Sequence, residues 1–201
     1  MTSSINGHPL HHAELNKLAG ERLKGFSRLA ALITLAVGGL VLLGWAFDIA
    51  ALKSVLPGRA SMKANTALAF VLAGLSLWLQ SCDVWRVTRD EKASRRRSVA
   101  QVCASLVALI GALTVAEYLG GWDLGIDQLL FREPPGAIGT SHPGRMAPAT
   151  AFNFLLLGLA LLLLDRKTSR RSRFSQGLAV LASVVALLAF LGYLYGITAF
   201  Y

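Results

Sequence analysis

Five stretches of this chain carry no Asp, Glu, Lys or Arg: residues 29–47, 64–82, 98–116, 147–164 and 174–201. The polar residues crowd into the loops between them and into an N-terminal arm, residues 1–28. Each charge-free stretch holds 18 or more residues. At about 1.5 Å of rise per residue that is enough to cross a hydrocarbon core about 30 Å thick. One charge at the centre of such a helix costs about 2.5–3.5 kcal/mol on an insertion scale, so five clean runs predict membrane crossings rather than helices buried in a soluble fold. The expected fold class is all-α: a polytopic membrane helix bundle with five transmembrane helices at about 29–47, 64–82, 98–116, 147–164 and 174–197.

The pattern is written twice. Thr66-Ala67-Leu68-Ala69-Phe70 followed by Gly74-Leu75-Ser76-Leu77 recurs as Thr150-Ala151-Phe152-Asn153-Phe154 followed by Gly158-Leu159-Ala160-Leu161. Each copy follows a Pro-Gly-Arg and a Met, and a Gly-Trp pair lies upstream of each, at Gly44-Trp45 and Gly121-Trp122. The repeating unit is thus an apolar run, a polar loop and a second apolar run, which predicts two tandem helix-pair repeats. The ending Gly192-Tyr193-Leu194-Tyr195-Gly196 echoes Glu117-Tyr118-Leu119-Gly120-Gly121, as the first half of a truncated third repeat would. The expectation is a fragment or shortened product of a six-helix unit; the alternative is a complete five-helix protein. Within each repeat Thr, Phe and Gly fall four residues apart on one helical face, a helix contact surface first and a cofactor face only second. Gln101 and Asn153, polar in apolar runs, are expected to bond between helices.

Composition agrees, with 54% hydrophobic and 15% charged residues, and the distribution of charge adds a direction. The N-terminal arm carries Lys17, Arg22, Lys24 and Arg28, the loop over 83–97 six basic residues and the loop over 165–173 five, whereas the other two loops share only Lys53, Arg59, Lys63, Arg132 and Arg145. The positive-inside rule then places the N-terminus in the cytoplasm and both repeated loops outside. The net charge of +9 needs no nucleic acid to explain it, since Arg95-Arg96-Arg97 and Arg170-Arg171-Ser172-Arg173 fall where anionic lipid headgroups meet them. Membrane lipids are therefore partners, and nucleic acid is not.

The first apolar run is too long for a signal-peptide core and ends without a small-residue cleavage site. The arm before it is expected to be disordered or to lie on the membrane surface. His8, His11 and His12 have no Cys or further His nearby, and no metal site is assigned. Cys82 and Cys103 fall toward cytoplasmic helix ends, where they stay reduced and act as small apolar residues. Trp45, Trp78, Trp85 and Trp122 lie near helix ends, as interfacial anchors do. No catalytic motif is present: there is no Gly-x-Ser-x-Gly, His-Glu-x-x-His, phosphate-binding Gly-rich loop or Cys-x-x-Cys, and no intramembrane His to hold haem, so no catalytic residue and no cofactor is assigned.

The chemistry that remains is in the outward loops. Each even-numbered helix starts just after a Pro-Gly-Arg turn, with Pro148 near the first helical position. Glu117, Asp123 and Asp127 gather where the third helix leaves the membrane. The candidate ligand-binding residues are Arg59, Met62, Asn65, Thr66, Glu117, Tyr118, Trp122, Asp123, Asp127, Arg145, Met146 and Thr150. One reading is that the acids pair with Arg145, Arg59 or Lys63 and fix the loops. The other is that a small external ligand or lipid headgroup exchanges with those pairs.

Pro143-Gly144-Arg145-Met146-Ala147-Pro148-Ala149-Thr150-Ala151, then Phe154-Leu155-Leu156-Leu157-Gly158-Leu159-Ala160-Leu161-Leu162, with Gly125-Ile126-Asp127-Gln128-Leu129-Leu130 upstream, resembles a bacterial receptor region. That region is the multi-pass membrane input part found at the N-terminus of many bacterial sensor histidine kinases and some diguanylate cyclases. Met62-Lys63-Ala64-Asn65-Thr66-Ala67 looks like its first repeat, and the resemblance covers roughly residues 29–201. It implies a sensory input module in a two-component or related signalling system, a sixth helix, cytoplasmic effector domains in the intact protein, and a homodimer. The ligand is not named by it. The alternative from another class is a small parallel-repeat transporter or channel subunit, whose midplane would hold little beyond Asn153 and a few Ser and Thr.

Overall fold

The computed structural model describes residues 9–54, 61–81, 91–133, 142–164 and 169–195. These form α1 (Pro9–Ala46), the short α2 (Ala50–Lys53), α3 (Ala64–Ser81), α4 (Glu91–Gly120), a 3-10 turn (Ile126–Gln128), α5 (Pro148–Leu162) and α6 (Ser169–Tyr195). No strand occurs among the described residues. Neighbours in sequence are neighbours in space: α1 packs on α3, α3 on α4, α4 on α5 and α5 on α6, and a smaller contact joins α3 to α5. Four helices are long and apolar enough to cross a membrane, over Gly20–Ala46, Ala64–Ser81, Glu91–Gly120 and Arg170–Tyr195. Among the described residues the chain is all-α, with the helix lengths and apolar character of a membrane protein.

Two expectations change. From Pro9 onward the arm before the first span continues α1, a single helix of 38 residues, about 57 Å long at the standard rise. Ala13, Glu14, Leu15, Leu18, Ala19, Glu21, Arg22, Leu23 and Lys24 are strong helix formers, and a membrane-anchored helix already present at their C-terminal side removes the nucleation cost. The fourth span is shorter than the 147–164 expected, since α5 holds 15 residues and reaches about 22 Å. Pro148 sets its start, and its buried residues Ala151, Phe154, Leu156, Gly158, Ala160 and Leu161 face several directions. Wrapped by α3, α4 and α6, α5 meets protein where an outer helix would meet lipid.

Packing relies on small residues, because lipid tails are as apolar as leucine and supply no hydrophobic drive between helices. The core cluster is Ala69, Ala73, Ala104, Val107, Met146, Ala151, Phe154 and Leu161. Gly38 on α1 lies against the Ala67 carbonyl of α3, while Gly74 on α3 lies against Ala31 and Leu35 of α1. Gly111 on α4 lies against Ala151 and Leu155 of α5, while Gly158 on α5 lies against Ala108 of α4. Each hairpin is thus closed by two glycines facing opposite ways. Phe70 and Phe154 meet edge to face, ring centroids 5.3 Å apart, where α3 approaches α5.

Polar groups within the bundle are mostly tied to backbone, as a medium without water requires. Ser76 Oγ donates to the Ala100 carbonyl (2.9 Å) and Ser175 Oγ to the Ala160 carbonyl (2.8 Å). With its amide nitrogen toward α6, Asn153 donates to the Ala182 carbonyl at 3.0 Å and accepts from the Ala186 N–H at 3.2 Å. In that orientation Asn153 makes the interhelical bond expected of it. Gln101 differs, being exposed on α4. Apolar side chains cover the outside, among them Leu32, Ile33 and Leu40 of α1 and Val184, Leu187 and Phe190 of α6.

Candidate functional site

At the end of the bundle where α4 finishes and α5 begins, the chain buries charge. Glu117 occupies the last turn of α4 with 0% exposure, and Arg145, three residues before Pro148, is 4% exposed. The segment between folds back so that Asp127, in the 3-10 turn, meets Arg145. Arg145 Nε donates to Asp127 Oδ2 at 2.6 Å and Nη2 to the Trp122 carbonyl at 3.2 Å. The same Nη2 lies 3.5 Å from Glu117 Oε1 and 3.8 Å from Asp123 Oδ1. The Tyr118 ring lies beside the guanidinium, 5.5 Å from centroid to Cζ, and its hydroxyl donates to the Met146 carbonyl at 2.9 Å.

Backbone geometry makes this approach possible at one glycine in particular. Gly144 has φ +74°, and a Cβ there would lie 2.6 Å from the Asp127 carbonyl oxygen. Only glycine takes this turn without strain and lets the two loops touch. Glu117 Oε1 accepts from the Leu124 N–H at 2.9 Å and Asp123 Oδ1 from the Gly125 N–H at 3.0 Å, which folds the connecting loop over the helix end. Burial by itself would lower the Arg145 pKa. The hydrogen bond and charge of Asp127, then Glu117, outweigh it and hold the guanidinium's pKa above its ordinary value.

A second buried pair stands beside the first. Lys63 Nζ lies 2.5 and 2.7 Å from the two carboxylate oxygens of Glu133, with Lys63 5% and Glu133 6% exposed. Glu133 also accepts from the Gly144 N–H at 2.6 Å and from Ser61 Oγ at 3.3 Å. Asn65 Nδ2 donates to the Ile126 carbonyl at 3.0 Å, joining the first turn of α3 to the 3-10 turn. Trp45 Nε1 donates to the Met62 carbonyl at 2.9 Å, its ring sits 5.9 Å from that of Phe131, and the Lys53 ammonium lies over it at 4.6 Å.

The candidates therefore divide. Glu117, Tyr118, Asp123, Asp127 and Arg145 come together, and Trp122 joins through its carbonyl while its ring is exposed. Met62 and Asn65 hold loops to the first hairpin, Thr66 and Met146 are buried in packing, and Thr150 is half-buried in the first turn of α5. Arg59 lies outside the described residues. The ion pairing expected between the acids and Arg145 is present, but Lys63 takes a different acid. Glu133 was missed, and its only signal was arithmetic: the outer loops hold a fifth acid, beside Asp48 and the three near α4, for Lys63 to claim.

Three oxygens in this region are buried without a hydrogen-bond partner among the described residues: Thr114 Oγ1, Glu117 Oε2 and Asp127 Oδ1. Fold and site define an all-α bundle, four of whose described helices are long and apolar enough to cross a membrane, with a buried layer of charge at one end. No protein-family model, curated protein or solved structure matches the chain.

Proposed function

We propose that this chain is the membrane-embedded input module of a bacterial signal-transduction protein, of the kind that feeds sensor histidine kinases, with the Arg145 cluster as its receptive site outside an inner membrane. The observation that carries the reading is where Arg145 sits. It joins the end of α4, the connecting loop and the start of α5 through one buried side chain. A stimulus that alters the pairing shifts α5 against α4, and α5 in turn holds α6 by the bonds of Asn153 and Ser175. α6 rests on α5 along one side and turns most of its surface outward, so it is the helix least restrained against following α5. Coupling then requires only that the stimulus bind one arrangement of the bundle better than another.

Two further features favour the duplicated architecture that the reading assumes. Both hairpins are closed by reciprocal glycines, and Phe70 and Phe154, counterparts in the repeated sequence, meet each other as residues beside a pseudo-twofold axis would. Transport is less well served. Ser76 and Asn153, which would have to line a path, are spent on neighbouring backbone.

The test has two parts. In a chain lacking native cysteines, Leu129→Cys should react with a membrane-impermeant thiol reagent added to intact cells, and Ser94→Cys should not; the reverse pattern refutes the orientation. Spin labels at the exposed positions Glu21 and Arg173 then report the inner ends of the apolar spans of α1 and α6. Arg145→Lys should shift their distance distribution in a bundle that still unfolds cooperatively, and an unchanged distribution refutes the input reading.

A further inference from the structure

We infer that Glu117, Asp123 and Asp127 form a site for a hard divalent cation of the Ca2+ or Mg2+ class, which acts by competing with Arg145. The inference rests on the reading of this cluster as the receptive site. One carboxylate oxygen from each of the three acids lies within 4.8 Å of the others, the spacing of ligands around a single ion. All donors are oxygen, which selects an alkaline-earth cation over zinc or copper.

Charge points the same way. Three carboxylates face one guanidinium, and the neighbouring Lys63 is already neutralised by Glu133. The cluster thus holds more acid than base, and a cation can match the excess. Coordination capacity is left over as well. Glu117 Oε2 and Asp127 Oδ1 are unpartnered on side chains 0% and 5% exposed. Thr114, one turn before Glu117 on the same face of α4, also carries a buried hydroxyl without a partner among the described residues. Buried acceptors without donors are rare in folded proteins, and a metal ion is one of the few groups that satisfies several of them at once.

An entry route and a response both follow. Asp123 is exposed, with 79% of its side-chain surface accessible, so an ion meets it first from solvent. Gly121 and Gly125, at φ +63° and +68°, let the loop that carries Asp123 close over the helix end. Arg145 holds Asp127 Oδ2 at 2.6 Å, and its 3.5 and 3.8 Å contacts to Glu117 and Asp123 are the longer ones. A cation bound to Glu117, Asp123 and the unpartnered Oδ1 of Asp127 displaces the longer contacts and leaves the short one at Asp127 Oδ2. Arg145, and with it the start of α5, is then drawn toward the 3-10 turn.

The experiment is calorimetric titration of the 201-residue chain in nanodiscs, stripped with chelator, with CaCl2 and MgCl2 at matched ionic strength. We expect saturable binding of one ion per chain, with a Kd on the order of 10⁻⁴–10⁻³ M as in extracellular calcium modules. Asp123→Asn should weaken it about tenfold or more, and Glu117→Gln should abolish it. Absence of saturable binding for either ion overturns the proposal, and so does wild-type affinity in Asp123→Asn, an exposed change that does not depend on the core refolding. The Glu21 and Arg173 spin labels separate the two readings. Binding without a change in their distance upholds the cation site and refutes the input function, whereas a shift with Arg145→Lys but no ion binding does the opposite.

Discussion

The close contact between α4 and α5 allows a prediction whose sign reverses from one glycine to another. A Cβ built at Gly158 would lie 2.4 Å from the Ala108 backbone nitrogen and 2.7 Å from its Cα and Cβ; one at Gly111 would lie 2.5 Å from Leu155 N and 2.6 Å from Ala151 O. Relaxed carbon contacts lie at about 3.5–4.0 Å, and the obstructing atoms are helical backbone, which cannot rotate away. Gly158→Ala must therefore push α4 and α5 apart by about 1 Å, at the cost of about 1–3 kcal/mol typical of overpacking. Gly39 and Gly177 lie in helices with nothing within 4 Å of the added methyl, so alanine there should stabilise by up to about 1 kcal/mol through lower backbone entropy. Thermal unfolding in one detergent, followed by circular dichroism, should lower the midpoint by roughly 2–4 °C per kcal/mol for Gly158→Ala and Gly111→Ala, and leave it level or raised for Gly39→Ala and Gly177→Ala. Equal midpoints across the four variants would refute the close-packed α4 and α5 interface.

Lys63→Met should destabilise the bundle by about 3–5 kcal/mol in denaturant titration, because Glu133 is left charged and buried. Adding Glu133→Leu should recover part of that loss but not all, since the Gly144 N–H still loses its acceptor. Asn153→Leu should loosen α6 from α5 at a cost of about 0.6–1.7 kcal/mol, the range for hydrogen bonds between membrane helices, read as faster amide exchange over 178–190. The Lys53 ammonium beside Asp48 holds that carboxyl below its ordinary range by hydrogen bond and charge. Its contribution is accordingly present above the unfolded Asp pKa and is lost as pH falls through the folded value. An NMR titration should show the Asp48 midpoint rise in Lys53→Met, and an unmoved midpoint would rule out the pairing.

How much of this could be read in advance depends on whether the cause is local. A run without charges is a local property, and four of the five expected spans are helices long and apolar enough to cross. The end points of α1 and α5 were misjudged for reasons outside the runs themselves. At α1 the polar residues 13–24 inherit a helix already started, and at α5 a central position makes a full crossing length unnecessary. The Arg145 cluster was legible because its members lie within 30 residues of one another and carry opposite charge. Lys63 and Glu133 stand 70 residues apart. Nothing in either neighbourhood marks them as partners, and their meeting is a consequence of α4 returning alongside α3. The three unpartnered oxygens were not legible at all, because residue type reveals what an atom can accept but not whether a donor reaches it.

The two buried ionic groups differ in a way that assigns them different work on the proposed reading. Lys63 and Glu133 are balanced in charge, and both carboxylate oxygens of Glu133 have donors. A ligand arriving there would have to break bonds as good as those it makes, and without a difference in affinity between states it shifts nothing. That pair is suited to hold the entry of α3 against the outer loop whatever happens nearby. The Arg145 cluster has more acid than base and more acceptors than donors, so it retains free energy that an incoming cation can release. Through Gly144 the two groups share a turn, its N–H held by Glu133 and its chain neighbour Arg145 held by Asp127. The fixed pair thereby becomes the pivot about which the start of α5 can respond, and weakening Lys63 or Glu133 should blunt the α6 response to Arg145→Lys even in variants that still insert.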